Sequence, residues 1–130
     1  MGILKRFRKE EEKKTQKEVK TELEMLCGDD KETFEALRKI MFLNPRKAGI
    51  PMKEAIKNAE ESEKSGDLIR AENWYKIAGG LAIANGDVQK VKQCFSKCEQ
   101  LFPNKHYKIL EIPEKAVQKA QEYYKKYLKE

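Results

Sequence analysis

Three cysteines and one histidine have the widest chemical reach of the residues in this sequence. Cys94 and Cys98 stand four apart, about one helical turn, and His106 follows eight residues later. Thiolates and an imidazole at short spacing are ligands for zinc, but a structural site needs four good ligands, with a close pair held in a tight turn. Here the pair falls inside an expected helix and Cys27 is remote, so no metal is expected and the cysteines are assigned to packing. Their odd number, at no scaffold spacing, fits a reducing compartment. His106 lies beside Tyr107 in a connecting segment, which leaves an acid–base pair few candidates. Neither a GxGxxG turn, a phosphate-cradling P-loop, a GxSxG elbow nor an HExxH helix occurs. Glu60, Glu61 and Glu63 cluster on an expected helix, where a run of charge is a solvated face. Trp74 and Tyr75 have rings that can stack a base, yet they sit in the most apolar helix, so Tyr75 is expected in the core and Trp74 at least half buried. No catalytic residue and no cofactor is assigned.

The elements that would position these residues are helical. The chain has 130 residues, a length that suits one domain, with 38% charged and 39% apolar residues and only seven Gly and four Pro. That balance favours helices over strands. No apolar run approaches the ~18 residues of a membrane span, and the N-terminus lacks the apolar stretch of a secretory signal, so a cytoplasmic protein is expected. The net charge of +6 belongs to the ends. Residues 1–20 hold eight basic and four acidic side chains, residues 104–130 seven and four, and residues 21–103 thirteen and fourteen. A dedicated nucleic-acid-binding domain carries its surplus on the folded body more often than on its ends.

Apolar periodicity predicts the helices. Phe34, Leu37, Ile40, Met41 and Leu43 mark one over residues 31–43, closed by Asn44-Pro45. Pro51 opens the next, with Ala55, Ile56 and Ala59 as its stripe up to Ser65. Leu68, Ala71, Tyr75, Ala78 and Ala82 step three and four apart, and Trp74, Ile77 and Leu81 widen that stripe around most of the circumference. This helix, over residues 67–85, should be central. Val88, Val91, Phe95, Cys98 and Phe102 continue the stepping to Pro103. Ala116, Ala120, Tyr123, Tyr124, Tyr127 and Leu128 form a closing helix over residues 113–130. A charged helix is expected over residues 10–27. Only residues 107–112 alternate with period two, too short and isolated for a sheet.

Gly28-Asp29, Gly66-Asp67 and Gly86-Asp87 each separate two expected helices. Gly can take the left-handed conformation that ends one, and Asp can cap the next, making tight antiparallel hairpins. Gly28 to Pro45 and Gly86 to Pro103 both span seventeen residues, the mark of an internal repeat. Gly86-Asp87, Val88, Val91, Phe95, Cys98 and Pro103 resemble the second helix of a tetratricopeptide repeat. Gly66-Asp67, Leu68, Ala71, Tyr75 and Ala78 match all but the closing Pro, and the unit from Gly28-Asp29 through Leu37 and Ile40 to Pro45 matches more weakly. The intervals between successive Gly-Asp pairs are 38 and 20 residues, which departs from that family's regular spacing. The first interval implies an insertion at residues 46–50, and the second implies that one long helix serves two hairpins. The expected fold is therefore all-α, five or six helices in antiparallel hairpins, arranged as a right-handed array or a compact bundle over residues 21–130. Gly79-Gly80, in mid-helix, is expected where a neighbouring helix approaches closely or the helix bends.

The resemblance implies a non-catalytic adapter that binds a protein or peptide in a groove. Lys53, Lys57, Asn73 and Lys76 fall on the groove positions of such repeats, where ammonium and amide groups grip a terminal carboxylate. The N-terminal residues 1–20 are expected to form a basic, partly flexible arm. Ile3, Leu4 and Phe7 interleave there with Lys5, Arg6, Arg8 and Lys9, a pattern suited to an anionic membrane surface or to the phosphates of RNA or a ribosome. A nucleic-acid or ribosome-associated factor, or a peripheral membrane scaffold, is the alternative function.

Overall fold

The structure, a computed structural model, describes residues 16–128. It is all-helical over these residues. The α-helices are α1 (Gln16–Cys27), α2 (Lys31–Leu37), α3 (Pro45–Ala48), α4 (Met52–Lys64), α5 (Leu68–Asn85), α6 (Val88–Leu101) and α7 (Pro113–Tyr127), with a 3₁₀ turn at Lys108–Leu110.

Helix α5 is the centre, as its all-round apolar sequence requires. It packs along α4 on one side and α6 on the other, so one helix does serve two hairpins. Both hairpin turns use the expected chemistry. Gly66 and Gly86 take φ of 85° and 72°, and Asp67 and Asp87 accept from the backbone N–H of Arg70 and Lys90, each at 3.1 Å. At the first hairpin the cap is Asp30 and not Asp29. Its carboxylate accepts from the backbone N–H of Thr33 at 3.2 Å and from the Thr33 hydroxyl at 2.7 Å.

The helix expected over residues 31–43 ends at Leu37. Beyond it the chain runs as a non-helical segment across the middle of α5. A Cβ on Gly80 would lie 2.9 Å from the Met41 carbonyl oxygen, so only glycine admits this crossing. The segment is held from the far side by α7. Phe42 packs against the rings of Tyr123 and Tyr124 at 4.6 and 5.7 Å, and the Tyr124 hydroxyl donates to the Leu43 carbonyl at 2.6 Å. Tertiary contacts thus outweigh the helical periodicity of residues 37–43. The expected insertion at residues 46–50 folds largely as the one-turn helix α3, capped by Asn44 and ended by Gly49 in the left-handed conformation.

Gly79 marks the second close approach. A Cβ there would stand 2.6 Å from the Phe95 ring of α6, so the glycine pair reflects close packing on both neighbours. The main core joins Leu23, Leu37, Tyr75, Ile83, Phe95, Ile109 and Tyr123, all buried. Helix α7 packs on α1, α2, α5 and α6 together. Its Gln121 amide donates to the Ile83 and Ala84 carbonyls at 2.6 and 2.9 Å at the end of α5, where the Ile83 carbonyl also accepts from the Gly86 N–H. In a solenoid each repeat touches only its neighbours. Here the last helix returns to the first, which gives the contact pattern of a closed bundle. The alternating residues 107–112 carry the 3₁₀ turn, with Ile109 fully buried.

Candidate functional site

Two concavities lie on different faces of this frame. The first is a groove between α4 and α6. Ala55, Ala78 and Cys94 are buried beneath it, with Ile50, Met52, Ile56, Trp74 and Ile77 packed around them. Trp74 is more than half buried and Tyr75 lies in the core, as its spacing predicts. A cleft of about 520 Å³ runs over Ile56, Glu60, Tyr75, Lys90, Gln93, Cys94 and Lys97. A second cleft of about 860 Å³ adds Pro51, Met52, Lys53, Glu54, Lys57 and Glu61 and shares Ile56, Glu60 and Lys90 with the first, so the two form one groove. Lys53 and Lys57, one turn apart on α4, stand exposed on its rim.

Glu63 ties the groove walls together. It accepts from the Tyr75 hydroxyl at 2.9 Å and from the Lys97 ammonium at 3.3 Å, joining α4, α5 and α6 at one carboxylate. Lys97 also lies 5.9 Å from the centre of the Tyr75 ring. Burial, and then the hydrogen bond to Glu63, raise the Tyr75 phenol above its ordinary range. Burial likewise pushes the Cys94 thiol up to about 11 and the Cys98 thiol up to about 12. Those values make both thiols poor nucleophiles at neutral pH, which suits cysteines used for packing. Among the described residues no three His, Cys, Asp or Glu side chains gather as a metal site.

The second concavity, of about 620 Å³, lies between the end of α2, the middle of α5 and the connection after α6. It is lined by Glu35, Arg38, Lys39, Lys76 and residues 104–108. The four groove candidates therefore divide. Lys53 and Lys57 border the α4–α6 groove, Lys76 borders the second concavity, and Asn73 is exposed on α5 and lines neither. Ile3, Leu4, Lys5, Arg6, Phe7, Arg8 and Lys9 lie outside the described residues.

The connection that walls the second concavity is fastened to buried acid. Glu72, on α5 and only 4% exposed, accepts from the Lys105 ammonium at 3.0 Å with each carboxylate oxygen and from the Tyr107 hydroxyl at 3.0 Å. Glu99 accepts from the Tyr107 backbone N–H at 2.8 Å. His106 sits between Glu99 and Glu111, 2.9 and 2.5 Å from its two ring nitrogens. Lys90 and Lys97, seven residues apart on α6, share one helix face with the groove; that spacing was visible in the sequence. Arg38, Lys39 and Lys105 had no such signal, because their meeting depends on where α2 ends.

No family model matches the chain, and no match to it was found among curated proteins or solved structures. Among the described residues, no helix is long and apolar enough to cross a membrane.

Proposed function

We propose that the chain is a non-catalytic module that binds a protein or peptide in the groove between α4 and α6. The observation that carries this reading is the groove itself. It is a continuous concavity with Ile56, Tyr75 and Cys94 along its floor and lysines on both walls, Lys53 and Lys57 on α4 and Lys90 and Lys97 on α6. An extended segment laid there would place apolar side chains on the floor and carboxylates beside the ammonium groups. Glu54, Glu60 and Glu61 share the rim, so the surface selects a pattern of charge and not only an acidic partner. The Tyr75–Glu63–Lys97 linkage holds the walls at a fixed separation, which lowers the ordering cost of binding.

The test is capture of partners by the whole chain from lysate at about 0.15 M and about 0.5 M salt, the higher cutting exposed charge contacts to within a few ångströms, with nuclease treatment of the bound fraction. The expected result is a protein partner retained by the wild type and lost with Lys57→Glu and with Lys90→Glu. Retention should be unchanged with Gln118→Glu on the exposed face of α7. Recovery of ribosomal proteins and RNA at the lower salt that vanish at the higher would overturn the reading and move the function to the basic arm of residues 5–20.

A further inference from the structure

The fold gathers around the second concavity basic side chains that lie far apart in sequence. Arg38, Lys39 and Lys76, from the balanced stretch 21–103, meet Lys105, His106 and Lys108, from the basic C-terminal segment, around this one hollow. Four carboxylates serve them. Glu35 pairs with Arg38 at 2.9 Å, Glu72 with Lys105, and Glu99 and Glu111 with His106, with Lys108 3.4 Å from Glu111. These pairs take up Arg38, Lys105, His106 and Lys108 and leave two of the six outside them. Of the six, Lys39 and Lys76 are the two without an ion-pair partner among the described residues.

We propose that this concavity binds the dianionic phosphate group of a small phosphate ester, between Lys39 and Lys76. Two ammonium groups outside any ion pair match a phosphomonoester dianion, whereas a carboxylate would leave one of them uncompensated. Arg38 engages Glu35 through Nε alone, which leaves its terminal amino groups to meet two phosphate oxygens side by side. The volume of about 620 Å³ exceeds what a bare phosphate fills and falls in the range of small-molecule sites, so the organic part of the ester has room beside Asn104 and Tyr107.

The Lys76 side of the site is preorganised. Lys76 is half buried and its ammonium lies 6.0 Å from the centre of the Tyr107 ring, so the ring supports the charge without neutralising it. That ring is fixed at both ends, by its hydroxyl on Glu72 and its backbone N–H on Glu99. The ring also packs 5.4 Å from that of Phe95. The inference is independent of the α4–α6 groove and stands or falls without it.

The experiment is a titration of the ¹⁵N-labelled full chain with adenosine monophosphate and with inorganic phosphate at about 0.15 M salt, where the screening length is roughly 8 Å. The expected result is saturable shifts confined to the amides of Arg38, Lys39, Lys76 and residues 104–108, with an affinity tighter than about 1 mM. The variant carrying both Lys39→Gln and Lys76→Gln should weaken binding by at least about tenfold and Lys39→Gln alone to a smaller degree, while Lys125→Gln on the exposed face of α7 leaves it unchanged. The same spectra report whether each variant is folded. Shifts that do not saturate, that spread over the lysines of α4 and α6, or that persist in the double variant would overturn the proposal. Co-sedimentation with phosphatidylcholine vesicles containing phosphatidic acid, without any response to adenosine monophosphate, would overturn the assignment to a small ester and place the phosphate on a lipid.

Discussion

Glu72 and Tyr107 meet across 35 positions of sequence, the phenol donating to the carboxylate at 3.0 Å. Glu72 is a charged residue inside the most apolar helix of the protein, and it is buried. A buried carboxylate is tolerated only when its oxygens are bonded and its charge is met. Tyr107 and Lys105 meet both needs, and in doing so they fix the connection that walls the second concavity. Stability and a candidate site thus depend on one side chain.

Replacing Glu72 separates its two roles. Glu72→Gln keeps an acceptor for the Tyr107 hydroxyl and loses only the charge, so urea unfolding should register a loss of about 1 kcal/mol. Glu72→Ala removes the acceptor as well and leaves a part-buried phenol unpaired, for an expected loss of about 2 to 3 kcal/mol. The full penalty for breaking a buried ion pair does not apply, because the Lys105 side chain is 52% exposed and its ammonium can return to water. Equal losses for the two variants would mean that Tyr107 does not depend on this carboxylate.

The glycine pair of α5 offers a second comparison. On helix propensity alone each Gly→Ala change would stabilise by about 1 kcal/mol. Gly79→Ala places its methyl 2.6 Å from the Phe95 ring, a buried side chain that can shift by a small angle. Overpacking of this kind costs about 1 to 3 kcal/mol, so a net loss near 1 is expected. Gly80→Ala meets the Met41 carbonyl at 2.9 Å, and backbone yields only if the whole crossing segment moves. That movement would strain the Tyr124 bond to Leu43, and the net loss should be about 2 kcal/mol or more. Adding Phe95→Leu should relieve Gly79→Ala and leave Gly80→Ala unrelieved. If both variants were as stable as the wild type, the close approach of the neighbouring segments would be wrong.

The contrast between these glycines also explains what the sequence could reveal. Asp67, Asp87, Gly66 and Gly86 act within a few residues of themselves, so the hairpins around α5 were legible from spacing alone. Residues 38–44 were not. Their apolar steps continue a helical period, and what unwinds them is Tyr124 and Gly80, which arrive from elsewhere in the chain. The candidate sites follow the same division. Lys53 and Lys57 share a face of one helix, which their interval shows, while their assignment to a groove came from the family resemblance. Lys76 was picked out too, but its surroundings depend on Arg38 and Lys39 leaving the helix early, which no local pattern announces. Asn73 lines neither concavity.

His106 carries the pH dependence of the connection after α6. Its pKa is raised above the ordinary 6.5, first by the hydrogen bond to Glu111 and then by the charge of Glu99, while that of Glu111 is lowered from 4.5, chiefly by the bond to His106. A raised folded-state value means that the imidazolium contributes its stability in full below pH 6.5 and loses it as pH rises through the folded value. A lowered carboxylate value works the other way. Glu111 contributes in full above pH 4.5 and loses its share as pH falls through the depressed value. Both contributions are complete only between these limits, so the stability lost in His106→Gln should be greatest near pH 5 to 6 and shrink above neutrality. Because the chain has a single histidine, its imidazole Cε1 proton can be followed by NMR without assignment. The expected midpoint lies above 6.5. A midpoint at or below that value would mean that the two carboxylates do not hold the ring in solution. The wall they fasten would then be free to move away from Lys76, and the preorganisation of the second concavity would be lost with it.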